Sequence, residues 1–193
     1  MDIDYFNFIS KSKLEIGSII VSQPYLADNY FNRSVILICD HNKNGSIGFQ
    51  INKPLNISLK ETIKNIEIDD KLYLGGPVDN KNIYFIHKSS KLKKNSIRLN
   101  RDIYFGGDLD YLIKLILNNK IKSNEYKFFL GYSGWSKGQL YDEIKDNSWI
   151  IISQFNSKNI FTPNYKNIWN NILKKSGGLN KMFSNYPIDP RLN

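Results

Sequence analysis

Short apolar runs bounded by turn residues predict several buried strands. Residues 17–22 (GSIIVS) and 34–40 (SVILICD) are rich in β-branched side chains, which is typical of strands buried on both faces. Within residues 42–52, Asn44-Gly45 separates two further strand-like runs. This dipeptide supplies positive φ at both central positions of a type I′ turn. We therefore predict a hairpin with Asn44 and Gly45 at the centre of its turn.

Similar runs continue to the end of the chain. Further strands are predicted at residues 72–74, 83–87, 102–105, 126–130 and 148–154. Glycines follow three of them: Gly75-Gly76, Gly106-Gly107, and the glycines of the GYSGWSKGQL segment. Glycine at such positions permits positive φ and close approach of another backbone or a ligand. None forms a GxGxxG or Walker A loop. Two interpretations of these glycines therefore remain: they allow tight packing of turning strands, or they form a cradle for a phosphate.

Four segments predict helices. One follows Pro54, with Ser58 and Glu61 spaced for a capping box. Asp108 can cap a second helix, with an apolar stripe formed by Leu109, Leu112, Ile113, Ile116 and Leu117. The other two cover residues 138–145 and 163–176, the latter stopped by Gly177-Gly178. Strands outnumber helices without strict βαβ alternation, which predicts an α+β fold.

The length of 193 residues predicts one domain spanning 1–193, with an N-terminal extension at 1–16 and a C-terminal tail at 179–193. The single Cys39 excludes a disulfide framework and multi-cysteine metal sites. No apolar run predicts a signal peptide or a membrane helix. We therefore expect a cytoplasmic protein that does not associate with a membrane.

The net charge of +9 raises the question of a nucleic-acid partner. One stretch concentrates basic residues without an acidic one between them: Lys88, Lys91, Lys93, Lys94, Arg98 and Arg101. It predicts either a phosphate-contacting patch or a solvated loop. Lysine dominates over arginine, whereas base and phosphate recognition favours the arginine fork, so the solvated loop is preferred.

Cysteine and histidine could form two kinds of reactive site, a nucleophilic pair or a metal site. Cys39 and His41 lie two residues apart on a predicted strand and would share a face, as a nucleophilic pair of a small hydrolase requires. A buried thiol is the preferred interpretation, since free cysteine is usually buried. His41 and His87 lack the spacing of a metal motif. We expect no cofactor and no metal.

The ordered motifs of the chain resemble the YqgE/AlgH family of bacterial proteins. The matching segments are S-Q-P-x-L-x-D-x-x-F-x-R-S-V at 22–35, H-N-K-N-G-S-I-G-F-Q-I-N-K-P at 41–54, G-G-P-V at 75–78, G-G-D at 106–108 and F-F-L-G-Y-S-G-W-S-K-G-Q-L at 128–140. The tail resembles Bacteroidetes-type members. The chain departs from the family at Lys53, usually Arg, and at Tyr141, usually acidic.

The resemblance implies a single domain in which a strongly bent mixed sheet forms a pseudo-barrel with flanking helices. One branch of the family carries a transcriptional-regulator label, but the sequence has no helix-turn-helix signature. From these points we predict a non-enzymatic binding or regulatory protein whose partner is a protein or a small anionic ligand.

The predicted binding site collects polar and aromatic residues from the loops at strand ends. Its members are Arg33, His41, Asn52, His87, Asp108, Tyr132, Trp135 and Gln139. Arg33 would pair with an anionic group, Tyr132 and Trp135 would supply apolar contact, and Asn52 and Gln139 would fix orientation.

Overall fold

The computed structural model describes residues 13–152 apart from 25, 27 and 29, together with residues 155, 157–161 and 166–185. These residues form ten strands and five α-helices, in the following chain order. They are β1 (Ile19–Ser22), β2 (Val35–Asn42), β3 (Gly45–Gln50), β4 (Pro54–Ser58), α1 (Leu59–Thr62), β5 (Lys71–Leu74), β6 (Val78–His87), β7 (Ser96–Arg98), β8 (Tyr104–Gly106), α2 (Leu109–Leu117), β9 (Tyr126–Ser136), α3 (Gln139–Lys145), β10 (Trp149–Ile152), α4 (Ile168–Ser176) and α5 (Gly178–Phe183). Two short 3-10 helices cover Ser90–Leu92 and Ser157–Phe161.

All ten strands belong to one sheet, which curls into a half-barrel. Its order is β10-β1-β2-β3-β9-β6-β8-β7, and β5 joins β9 in parallel while β4 pairs with β5. Every other pair is antiparallel, so the sheet is mixed. The predicted α+β fold with a strongly bent mixed sheet and flanking helices is confirmed.

The central strand β9 is longer than predicted. Its end pairs with β3, its beginning pairs with β5, and β6 lies along its other side. Residues 131–136 were predicted to be a glycine loop but continue this strand. The glycines are needed for contact between strands: a Cβ on Gly75 would lie 2.0 Å from the Gly131 carbonyl oxygen, and one on Gly76 would lie 2.3 Å from the Ser133 nitrogen.

Three apolar clusters cover the sheet and the helices. The interior of the half-barrel holds the largest one, in which Leu37, Phe49 and Phe129 pack with Trp169 of α4. A second cluster lies beneath α2 and includes Leu112 and Phe128. The third lies on the outer face of β1, β2 and β9, beneath α3; it contains Leu14, Ile20, Ile36, Ile38, Trp135, Leu140 and Trp149. Burial of aliphatic and aromatic side chains on this scale supplies the main driving force of folding.

The hairpin of β2 and β3 is confirmed, but its predicted turn is wrong. Asn42 pairs with Gly45, which makes Lys43 and Asn44 the two central residues. Positive φ occurs at Gly45 (149°) and not at Asn44. Gly45 is required by the neighbouring strand, because a Cβ there would lie 2.2 Å from the Trp135 carbonyl oxygen. Tertiary packing, and not turn type, explains this glycine.

The predicted helices are present with shifted ends. The capping box is confirmed, since the Ser58 N–H donates to Glu61 Oε2 (2.7 Å), but the preceding segment is strand β4 and the helix ends at Thr62. Asp108 caps α2 as predicted, accepting from the Tyr111 N–H (2.9 Å). Leu115 is buried in α2, whereas Leu117 in its last turn is 55% exposed, so the predicted stripe is wrong at that position.

Four predicted segments lie partly outside the described residues: the extension at 1–16, the strand at 148–154, the helix at 163–176 and the tail at 179–193. Most of the extension at 1–16 does so, but Leu14 is described and is buried against β1 and β2. Pro163 also lies outside them, and the described part of that helix begins at Ile168. Gly177 ends it with φ 73°, while Gly178 begins α5 and is not part of the stop. Among the described residues, no helix combines the length and apolar character needed to cross a membrane.

Candidate functional site

Arg33 and Asn52 lie together at the end of the half-barrel where β2 begins. The Asn52 amide donates to the Arg33 carbonyl oxygen (2.9 Å), and its side-chain oxygen accepts from the Val35 N–H (2.9 Å). The Arg33 guanidinium carbon lies 4.9 Å from the centroid of a Trp169 ring. Burial lowers the pKa of Arg33. Asn52 therefore acts as a clamp between two turns. Both its amide nitrogen and its side-chain oxygen are engaged in this clamp, so the side chain is not directed at a ligand.

His41 lies at the opposite end of β2. Its Nδ1 is 2.8 Å from Ser46 Oγ, and its Nε2 is 3.1 Å from the Tyr141 hydroxyl. A β-bulge at Cys39 breaks the alternation of side chains along the strand. Cys39 is fully buried, its thiol lies 3.7 Å from the Leu37 carbonyl oxygen, and burial raises its pKa well above the ordinary value. The buried thiol is confirmed, and the geometry does not form a Cys39–His41 pair.

His87 is buried at the other side of the sheet. Its Nε2 donates to the Gly106 carbonyl oxygen (3.2 Å), and its ring stacks on Tyr104 at 5.6 Å. Burial lowers the pKa of His87 and so favours the neutral imidazole. Asp108 is occupied in capping α2. Within the described part of the chain, no group of three or more His, Cys, Asp or Glu is placed to hold a metal ion.

Trp135 and Gln139 belong to a clamp that fixes α3 to the sheet. The indole N–H groups of Trp135 and Trp149 donate to the same carboxylate oxygen of Glu143, at 2.8 and 2.7 Å. The Gln139 amide donates to the other Glu143 oxygen (2.9 Å). Trp135 is only 6% exposed. Its predicted place in an exposed loop is therefore wrong, because the strand carries it into the outer core.

A groove opens beside the hairpin turn, on the face of the sheet that carries Tyr132. We call it the hairpin groove. It has a volume of 350 Å³ and is lined by Asp40, Asn42, Asn44, Gly45, Ser46, Ile47, Val78, Tyr132, Gly134 and Trp135. That volume lies at the lower end of the range of ligand pockets. Gly134 keeps the groove open, since a Cβ there would lie 3.0 Å from the Tyr132 ring.

One wall of the hairpin groove is held by an acidic residue in a left-handed turn. Asp79 has φ 52°, and its carboxylate accepts from the Tyr84 hydroxyl (2.5 Å) and the Asn82 amide (2.8 Å). These hydrogen bonds lower the pKa of Asp79, while burial and Asp79 raise that of Tyr84 to about 12. Tyr84 contacts Tyr132 edge-on at 5.6 Å. The Tyr132 ring is thereby fixed in place.

The eight predicted residues therefore do not converge on one site. Tyr132 and Trp135 line the hairpin groove, and His41 is joined to its wall through Ser46. Arg33 and Asn52 lie at the far end of β2, while His87 and Asp108 lie beside β8. Adjacent antiparallel strands run in opposite directions, so the loops that follow them leave at opposite ends of the sheet. The sequence pattern does not show which strands are adjacent.

The basic segment is partly engaged within the protein. The Lys88 ammonium lies 4.6 Å from the Phe161 ring, and that of Lys93 lies 5.3 Å from the Tyr104 ring. The Arg98 guanidinium donates to the carbonyl oxygens of Asn100 and Arg101. Lys91, Lys94 and Arg101 are exposed. Nucleic-acid contact through this segment stays a prediction.

Sequence reasoning assigned no structural role to three residues that the structure makes prominent. Lys127 is buried in β9, and Glu143 holds two indoles. Lys53 donates to the Asn32 carbonyl oxygen (2.6 Å) beside Arg33. The position of Lys127 inside the apolar run at 126–130 is a signal of its burial that the sequence does contain. Nothing in the spacing pointed to Glu143, because its two tryptophans come from separate strands.

Comparisons with known proteins show which family this chain resembles. A family model described as AlgH-like matches residues 19–181. A UPF0301 protein of Cytophaga hutchinsonii is 40% identical, covering 92% of this chain and 98% of its own. One from Parabacteroides distasonis is also 40% identical, over 92% and 90% of the two chains.

Solved structures share the fold at lower identity. A crystal structure of a Corynebacterium diphtheriae protein matches with a TM-score of 0.79 at 21% identity, covering 96% of this chain and 100% of its own. The solution structure of the AlgH protein from Pseudomonas aeruginosa matches with a TM-score of 0.67 at 22% identity, covering 91% and 99%. The resemblance seen in the motifs is thus confirmed by sequence and by fold, and the chain belongs to the AlgH-like family.

Proposed function

We propose that this chain is a cytoplasmic, non-enzymatic binding or regulatory protein that captures a protein partner in the hairpin groove. The observation that carries the proposal is the exposure of Val78, which is 38% accessible beside the half-buried Tyr132. An apolar side chain at the rim of a polar groove is a feature of partner sites. The transcriptional-regulator role named for one branch of the family is one form that such binding could take.

The chemistry of the groove favours a protein over a small anion. Its rim carries the Asp40 carboxylate, which accepts from the Asn42 amide (3.1 Å), and the exposed side-chain amide of Asn44. Ile47, Val78 and Tyr132 supply its apolar surface. Amides donate and accept hydrogen bonds, as peptide groups require, whereas the carboxylate repels anions. A volume of 350 Å³ accommodates a few side chains of a partner loop.

The groove also suits binding better than catalysis. Two groups that could act as bases lie at or beside the groove. The Asp40 carboxylate lines it, and the ring nitrogens of His41 are engaged by the hydroxyls of Ser46 and Tyr141. The single thiol of the chain, Cys39, is buried in the interior. The Ser46 hydroxyl lies 2.8 Å from His41 Nδ1, but the second nitrogen of this imidazole faces the Tyr141 hydroxyl and not a carboxylate. The pair therefore lacks the acidic group that orients the base in a nucleophilic triad.

Val78→Asp tests the proposal, with Ile97→Asp as the matched control. Both residues are exposed β-branched side chains, at 38% and 41%, but Ile97 lies on the edge strand β7. Each tagged protein is incubated with extract of its own cytoplasm, and captured proteins are quantified by mass spectrometry. We expect a partner enriched on the unmodified protein and on Ile97→Asp but lost on Val78→Asp, with equal melting temperatures. Equal capture by all three would refute the proposal.

A further inference from the structure

The register of three strands brings the Asp40 carboxylate and the Tyr132 ring to one face of the sheet. Asp40 of β2 is paired with Ile47 of β3, and Ile47 is paired with Gly134 of β9. Side chains of directly paired residues point to the same face, so these three positions form one row across the sheet. A Cβ on Gly134 would lie 3.0 Å from the Tyr132 ring, which places that ring at the end of the row.

This row leaves a space between the carboxylate and the ring. Adjacent strands lie about 4.8 Å apart, so the Cα atoms of Asp40 and Gly134 are about 10 Å apart. Ile47 supplies the side chain between them, and Gly45, two residues before it on the same strand, supplies none. The hairpin groove therefore has an apolar floor, with a negative charge on one wall and an aromatic ring on the other.

The Asp40 carboxylate has no cationic partner among the described residues. It is half-buried, and its oxygens accept from the Asn42 amide at 3.2 and 3.1 Å. The ion pair in the part of the chain that the structure describes joins Lys60 to Asp69. Lys43, in the hairpin turn, is exposed and does not line the groove. A half-buried carboxylate that is bonded only by a neutral amide is stabilised further when a cation joins it.

The Tyr132 ring offers a preformed surface on the other wall. Tyr84 contacts this ring edge-on at 5.6 Å, and the Asp79 carboxylate holds the Tyr84 hydroxyl in turn. A ring fixed in this way loses little rotamer freedom when a ligand packs on it. Because the face of an aromatic ring attracts cations, both walls of the groove favour a ligand with a positive charge.

We propose that the hairpin groove binds an arginine side chain presented by the protein partner. This inference rests on the proposed function and adds one contact to it: Val78 at the rim holds the partner's apolar surface, while Asp40 holds its guanidinium. A planar guanidinium pairs with a carboxylate through parallel hydrogen bonds and also stacks on an aromatic ring, whereas a lysine ammonium is a point charge. The methylene stem of the arginine lies over Ile47, the apolar part of the floor.

The test is a titration of the full, nitrogen-15-labelled chain with Nα-acetyl-arginine amide and, separately, with its lysine and citrulline counterparts. Citrulline has nearly the shape of arginine but carries no charge. Sodium chloride holds the ionic strength constant at pH 7. We expect the arginine amide to shift the backbone amide resonances of Ile47 and Gly134 saturably. The lysine amide should bind more weakly, and the citrulline amide at least about tenfold more weakly, since it lacks the charge-assisted contact.

Asp40→Asn assigns the binding to the carboxylate, with Asp142→Asn as the matched control. Both substitutions remove one negative charge, but Asp142 is exposed on α3 and does not line the groove. Asp40→Asn should weaken binding of the arginine amide at least about tenfold, and Asp142→Asn should leave it unchanged. In the capture experiment, the partner should likewise be depleted on Asp40→Asn and retained on Asp142→Asn. The citrulline comparison uses the unmodified chain, so it decides the matter even if Asp40→Asn does not fold.

Three results would overturn the proposal. They are the absence of saturable shifts with the arginine amide, equal affinity for the arginine amide and either counterpart, and undiminished binding or capture by folded Asp40→Asn. If a partner is nevertheless lost on Val78→Asp, the groove binds it through other contacts and the proposed function stands. Equal capture by the unmodified protein, Val78→Asp and Ile97→Asp would instead refute the proposed function, whatever the titration shows.

Discussion

Lys127 is a cation in the interior of the half-barrel. Its side chain is 5% exposed, its ammonium donates to the Ile51 carbonyl oxygen (3.0 Å), and it lies 3.8 Å from the Tyr73 ring centroid. Burial lowers the pKa of Lys127 to about 7. The ammonium and the neutral amine therefore have comparable populations in the folded protein near neutral pH.

This shift links stability to pH. Because the pKa of Lys127 is lower in the folded than in the unfolded chain, the unfolded chain binds more protons between about pH 7 and pH 10.5. The free energy of unfolding should thus rise with pH across that window. Below pH 7 both states are protonated, and the full cost of the buried charge is present.

Lys127→Met should stabilise the protein at pH 7 and remove this dependence. The gain in unfolding free energy should shrink by about 3 kcal/mol between pH 7 and pH 9.5, as the buried amine of the unmodified protein becomes neutral. Urea denaturation at both pH values measures it. Lys71→Gln, an exposed lysine, serves as the control and should show no such difference. A pH-independent gain would contradict the expectation.

At the scale of elements, α3 is attached to the sheet through Glu143. Glu143→Gln replaces one carboxylate oxygen with an amide N–H₂, which cannot accept the bonds that Trp135 and Trp149 or Gln139 donate. We expect a loss of about 1–3 kcal/mol in unfolding free energy, measured by guanidinium denaturation and near-UV circular dichroism. Asp142→Asn, exposed on the same helix, should change stability little. Equal effects of the two variants would show that the clamp contributes nothing.

The two double glycines have different structural roles, which a pair of alanine variants separates. A Cβ at Gly76 would lie 2.3 Å from backbone atoms of Tyr132 and Ser133, so Gly76→Ala must displace β9. Gly106 has φ 74° but nothing within 4 Å of its would-be Cβ, so Gly106→Ala carries only a backbone cost of about 1–2 kcal/mol. Thermal unfolding should show the larger loss for Gly76→Ala. A larger loss of stability for Gly106→Ala than for Gly76→Ala would mean that strand packing is not the reason for the glycines at 75 and 76.

For the whole molecule, β9 is the strand on which the sheet depends. It pairs with β3, β5 and β6, and its Phe128 and Phe129 lie in two different apolar clusters. Amides of β9 should therefore exchange hydrogen only through global unfolding, whereas those of the three-residue edge strand β7 should exchange through local opening. Native-state hydrogen exchange in low denaturant measures both. Fast exchange in β9 would contradict this view of the fold.

The family and most of the elements could be predicted from the sequence for local reasons. Apolar runs, the capping box at Ser58 and the cap at Asp108 depend on residues within a few positions of one another. The predictions failed where packing from afar overrides a local signal. Gly45 lies next to Trp135 of another strand, and residues 131–136 continue β9 because their glycines admit neighbouring backbones.

The candidate site was beyond the reach of sequence reasoning for a related reason. By itself the sequence determined the family, the α+β class, the single buried thiol and the residue types available for binding. Only the tertiary structure decided which of them meet: it placed Tyr132 in a groove, Trp135 in the outer core, and Arg33 beside Asn52 at the opposite end of β2. Strand order and direction determine such proximity, and these are properties of the folded sheet and not of any short segment of the chain.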